Sequence, residues 1–100
     1  MSAAIRKEVE EFLSIAPLPP SGSADEAHVT QLTDALTRIS APISEEEAVH
    51  LSSAFGEDDC FGLAWTLVHL IETAPRAALD RIPPSDNRWI RLIRDRLYSA

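Results

Sequence analysis

The chain has 100 residues, the length of one ordinary domain, and 45% of them are hydrophobic, enough to build a core without a metal or disulfide staple. A formal net charge of −7 argues against nucleic acid as a ligand, because phosphate contacts need a basic surface. The single cysteine, Cys60, has no internal partner, which fits a reducing compartment.

The first residues, Met1-Ser-Ala-Ala-Ile-Arg-Lys, meet charge at once and lead into no apolar run, so no signal peptide is expected. Ile5, Val9, Phe12 and Leu13 then recur at helical spacing and predict a first helix over residues 3–15. Pro17, Pro19 and Pro20 stop it, and residues 17–23 read as a short linker within a single domain spanning 1–100. Ser23 and Glu26 have capping-box spacing, and Val29, Leu32, Leu36 and Ile39 mark the apolar stripe of a second helix over 24–40. Pro42 ends that helix. Ser44 and Glu47 repeat the box, and Glu45, Glu46 and Glu47 fill a first turn where the helix dipole favours negative charge. This third helix runs to about Phe55 and stops at Gly56, read as its C′ residue.

A fourth helix is expected over 60–74, capped by Asp58 or Asp59. Phe61, Leu63, Ala64, Trp65, Leu67, Val68, Leu70 and Ile71 leave it only a narrow polar seam, so it should be the central helix. The segment is too short to span a bilayer, and a cytoplasmic location is expected. After Pro75, residues 76–81 read as a helical turn, and Pro83-Pro84 follows. Ser85 or Asp86 caps a last helix to about Tyr98, with Trp89, Ile90, Leu92, Ile93 and Leu97 inward and Arg88, Arg91, Arg94 and Arg96 mainly outward. Period-two alternation and Asn-Gly or Asp-Gly hairpins are absent. The fold class is therefore all-α, about five helices in a compact bundle or in stacked helical hairpins.

The sharpest functional feature is the seam. Asp59, Gly62, Thr66, His69 and Thr73 follow spacings of three and four, with Glu72 beside them, and would share one face of the central helix. The acidic run Glu57-Asp58-Asp59 lies at its start. One carboxylate is explained by capping; three together would anchor lysine or arginine on a partner. Up to Pro75, thirteen acidic residues face Arg6, Lys7 and Arg38, a net of −10; from Arg76 onward six arginines face three aspartates, a net of +3. Opposite ends of the chain then attract each other across the fold, or an acidic face steers a basic partner.

Other chemistry is thinly represented. His69 and Glu72 have a spacing that holds two metal ligands, but His28 or His50 would have to complete the set and no ligand motif is present, so no metal or cofactor is expected. Cys60 reads as a buried structural cysteine, and Asp58 and Asp59 oppose any lowering of its pKa. No nucleophile elbow, phosphate loop or dinucleotide fingerprint occurs, and no enzymatic activity is expected. Trp65 and Trp89 read as core residues or, since tryptophan is enriched among binding hot spots, as interface anchors; their spacing does not separate the two.

The stretch from Phe55-Gly-Glu-Asp-Asp-Cys-Phe-Gly-Leu-Ala-Trp to Pro75, together with Asp86-Asn-Arg-Trp-Ile-Arg, resembles small helical immunity proteins encoded beside bacterial polymorphic toxins. The likeness covers about a third of the chain and leaves out the first helix and the proline-rich linker. It implies a one-to-one inhibitor that blocks the active site of a cognate toxin inside the producing cell. The matching positions, Glu57, Asp58, Asp59, His69, Glu72, Asp86 and Asn87, become interface candidates beside Gly62, Thr66 and Thr73. The competing class is a helical adaptor or regulatory module with a different protein partner, and a homodimer built on the central helix is a variant of it.

Overall fold

The computed structural model describes residues 5–23, 25–83 and 85–99. The described residues form six α-helical segments: α1 (Lys7–Ile15), α2 (Glu26–Thr37), α3 (Glu45–Leu51), α4 (Leu63–Ile71), the single-turn α5 (Ala78–Arg81) and α6 (Arg88–Ser99). Two 3₁₀ turns, Ser21–Ser23 and Ser52–Ala54, precede α2 and follow α3. No strand occurs among the described residues. The expected inclusion of Ala3 and Ala24 in helices, and of Leu97 in the core, falls outside the described backbone or side chains.

Burial follows the predicted stripes. Val9 and Phe12 on α1, Leu32 and Leu36 on α2 with Ile39 just beyond it, and Trp89, Ile90 and Ile93 on α6 join one contiguous core. Helix α4 supplies Leu63, Ala64, Leu67, Val68, Leu70 and Ile71 to that core and packs against α2, α3 and α6.

Of the next three helix starts, one follows the sequence reading and two depart from it. The box at Ser44 and Glu47 forms: the Glu47 amide donates to Ser44 Oγ (3.1 Å) and the Ser44 amide to Glu47 Oε1 (2.8 Å). The box at Ser23 and Glu26 does not. Ser21–Ser23 is taken up by a 3₁₀ turn whose Ser21 amide is held by Asp58 Oδ2 (2.9 Å), so α2 begins after Asp25 and Glu26 is its first residue, too early for the reciprocal bond. At α6 the cap is Asn87, not Ser85 or Asp86. Asn87 Oδ1 accepts from the Trp89 amide (2.9 Å), while Ser85 Oγ accepts from the Asn87 amide (3.1 Å). Asn87 Nδ2 also donates to Gly56 O (3.0 Å). Asn87→Ala thus loses a cap and a long-range bond together. It should lower stability by about 2 kcal/mol in urea unfolding, and a loss below about 0.5 kcal/mol would contradict the double role.

The proline-rich linker does more than join two helices. Leu18 is 1% exposed, and its amide donates to Ala54 O at 2.8 Å, so the linker inserts a core residue against the turn after α3. The arginines of the C-terminal quarter partly neutralise the acidic remainder within the fold. Arg81 pairs with Glu45 (3.3 Å) and Glu46 (2.8 Å), and Arg96 Nε with Glu72 Oε2 (3.0 Å).

Candidate protein interaction site

The acidic loop before α4 is fastened from several sides. Asp58 accepts from the Ser21 amide through Oδ2 and from the Cys60 amide through Oδ1 (2.9 Å each), and the indole Nε1 of Trp89 donates to Asp58 O (3.2 Å). These two backbone amides hold the Asp58 carboxyl below the usual carboxylate range. With Asn87 bonded to Gly56 O, the loop is tied to the linker, to α6 and to its own next turn. Glu57 and Asp59 lie on this backbone with exposed side chains.

The predicted N-terminal turn of the fourth helix is replaced by a left-handed one. Cys60 (φ 45°), Phe61 (φ 56°) and Gly62 (φ 88°) stand consecutively in the left-handed region, and α4 proper begins only at Leu63. Asp58 therefore caps the loop and not the helix, and the expected start at Cys60 is corrected. Within the turn Cys60 is fully buried; burial, then the charges of Asp58 and Asp59, push its thiol pKa up, in keeping with a structural role.

Phe61 is the larger correction. Expected in the core, it is 64% exposed, because the left-handed backbone swings it off the helical register. Trp65, expected either in the core or as an interface anchor, is 40% exposed. Its ring meets buried Trp89 edge-on at 5.2 Å, Trp89 stacks on Phe55 at 6.2 Å, and His69 lies 6.3 Å beyond Trp65, so an aromatic series runs from core to surface. Arg88 places its guanidinium carbon 4.7 Å from the Trp89 ring centre. Sequence periodicity alone had one clue to this: a helix apolar on nearly every side of so small a domain must leave part of that surface uncovered.

The seam divides. Thr66 and His69 are exposed on α4, and they border a shallow hollow of about 330 Å³ with Leu36, Ile39, Ala41 and Leu70. Asp59 and Gly62 precede the helix and are not on its face. Thr73 follows it and is exposed, yet its hydroxyl is engaged, accepting from the Ile43 amide (3.0 Å) and donating to Leu70 O (2.6 Å). The Glu72 side chain is 19% exposed and paired with Arg96. Asp86 is exposed but lines a different hollow, with Arg91, Arg94 and Asp95. Eight of the ten candidates thus separate into outward groups and groups that hold the fold. Glu57, Asp59, Thr66 and His69 face solvent in and beyond the loop; Asp58, Glu72, Thr73 and Asn87 bind other parts of the chain. Of the other two, Asp86 lines its separate hollow and Gly62 belongs to the left-handed turn.

Among the described residues no cluster of three histidine, cysteine or carboxylate side chains is arranged to hold a metal ion, and no helix is long and apolar enough to cross a membrane. No protein-family model, curated protein or solved structure matches the chain.

Proposed function

We propose that this chain is an immunity-type protein, which binds a cognate bacterial toxin domain and neutralises it by covering its active site. The observation that carries the reading is the acidic loop, whose backbone is tied down by Asp58, Asn87 and Trp89 while Glu57 and Asp59 remain exposed. Carboxylates on a fixed backbone lose little freedom when a partner docks, and they suit a surface of lysine and arginine such as one built to hold phosphates. The net charge of −7 adds long-range steering toward such a surface. The sequence likeness to immunity proteins around Phe55 to Pro75 covers the same loop.

The test is co-expression with a toxin domain encoded next to the gene, followed by titration of the two purified proteins. The chain should restore growth and form a one-to-one complex. Glu57→Lys with Asp59→Lys should weaken binding about tenfold at low ionic strength, mainly by slower association, with the difference shrinking as salt rises. Absence of both rescue and binding would overturn the reading. Asp58 and Glu72 are unsuitable for this reversal, since their carboxylates serve the fold.

A further inference from the structure

The geometry points to Phe61 and Trp65 as the apolar anchors of this surface, which enter a socket rimmed by lysine or arginine on a folded protein partner. The inference rests on the binding reading above and adds the residues that supply most of the affinity and the chemistry they select.

These two are the exposed large hydrophobic side chains among the described residues, and they stand four positions apart. Four residues reach at most about 14 Å, so both fit within the footprint of one ordinary protein interface. Trp65 is 40% exposed while its ring is held in a T-shaped contact with Trp89 at 5.2 Å. Phe61 is presented by the left-handed run from Cys60 to Gly62. A bulky residue adopts a positive φ only when its surroundings impose it, and glycine would occupy the position with less strain. The surroundings are visible: the Asp58 carboxylate on the Cys60 amide, the buried Cys60 side chain and the Trp89 indole on Asp58 O. The phenyl ring gains no core burial in return. A strained, well-held backbone that turns an aromatic ring to solvent is the arrangement of a preorganised binding anchor.

Charge selects the occupant. Glu57 and Asp59, both exposed, precede the anchors directly, and the whole chain carries −7. A second copy would bring the same carboxylates and the same net charge to this surface, and an anionic lipid surface would be repelled. A protein with a cationic rim around an apolar socket satisfies the carboxylates and the rings together.

The experiment is calorimetric titration of a toxin domain encoded next to the gene with wild type, Phe61→Ala, Trp65→Ala and Phe61→Gly, with thermal unfolding of each and sedimentation of the free chain. Phe61→Ala and Trp65→Ala should each weaken binding about 30-fold, through faster dissociation and nearly independently of salt, unlike the Glu57 and Asp59 reversals. Phe61→Gly should bind as weakly as Phe61→Ala yet melt about 4 °C higher, because glycine relieves the backbone. That pairing separates an anchor from a residue needed for folding. Wild-type affinity in Phe61→Ala, alongside a wild type that binds, overturns the anchor assignment and leaves the binding reading standing. A wild type that fails to bind overturns both. A wild-type dimer that Phe61→Ala dissociates makes the occupant a second copy and overturns the cationic-rim assignment.

Discussion

Glu47→Gln should destabilise the protein by about 3 kcal/mol at neutral pH, and wild type and variant should converge in stability near pH 2. Glu47 is a carboxylate only 2% exposed, yet every oxygen has partners. Its Oε2 accepts from the Arg6 amide (3.0 Å) and from Arg6 Nε (2.9 Å), and its Oε1 accepts from Arg6 Nη2 (3.2 Å) and the Ser44 amide (2.8 Å). Burial pushes the Glu47 pKa up, but the side-chain and backbone bonds from Arg6, the Ser44 amide and the Arg6 charge outweigh it and bring it down to about 2 from an ordinary 4.5. A carboxyl whose folded pKa lies below its unfolded value adds stability that is complete above the unfolded value and is lost as pH falls through the folded one. The window here is pH 4.5 down to 2. The amide of Glu47→Gln keeps a hydrogen-bond acceptor but leaves the Arg6 guanidinium without its counter-charge. Arg6 also donates to Ser40 Oγ and Ser40 O, so a shifted Arg6 loosens the contact between the start of α1 and the segment before α3. Urea unfolding from pH 7 to pH 2 reads the effect directly. A wild type and variant that lose stability in parallel over pH 4.5 to 2 would show that the carboxylate is not the source.

Glu47 also illustrates which parts of the structure the sequence made legible. Its place in a capping box was readable from four consecutive residues, because the box is local chemistry. Its partnership with Arg6, forty-one positions away, was not, because nothing in the spacing of either segment says that they meet. The helices behaved alike: Val9 and Phe12, or Leu32 and Leu36, announce their buried faces by period, and α4 announces its large contribution to the core by its run of apolar residues. The failures cluster where tertiary bonds override local preference. Ser21 is captured by Asp58, and the expected Ser23–Glu26 capping box is lost with it. Asp58, spent on Ser21 and Cys60, does not cap α4. The candidate surface follows the same logic. Thr66 and His69 were found because they are polar at helical spacing. Trp65 stayed between core and interface because a tryptophan suits both, whereas Phe61 was missed because hydrophobic character argues for burial, and only the left-handed turn reverses that argument.

Gly56→Ala should lower stability by about 3 kcal/mol and the melting temperature by about 15 °C, while Gly22→Ala should change either very little. The sequence reading made Gly56 the C′ residue of the third helix, but α3 ends at Leu51 and a 3₁₀ turn separates them. The residue is glycine for a steric reason. A Cβ there would lie 2.2 Å from Leu18 O and 3.2 Å from Leu18 C, both backbone atoms, whereas a Cβ on Gly22 meets nothing within 4 Å. Neither segment gives way easily. The Leu18 amide is bonded to Ala54 O two residues from the clash, the Leu18 side chain is sealed in the core, and Gly56 O is bonded to Asn87. Relief of the contact must break the linker from the turn after α3 or the loop from α6. Either movement displaces the backbone that carries Glu57 and Asp59, so Gly56→Ala should also lower partner affinity beyond its effect on folding. Thermal unfolding of the two alanine variants, with Asn87→Ala for comparison, measures the first effect. A loss under about 1 kcal/mol would mean that the linker yields to the extra methyl, and the fixed register assigned to the acidic loop would then be wrong.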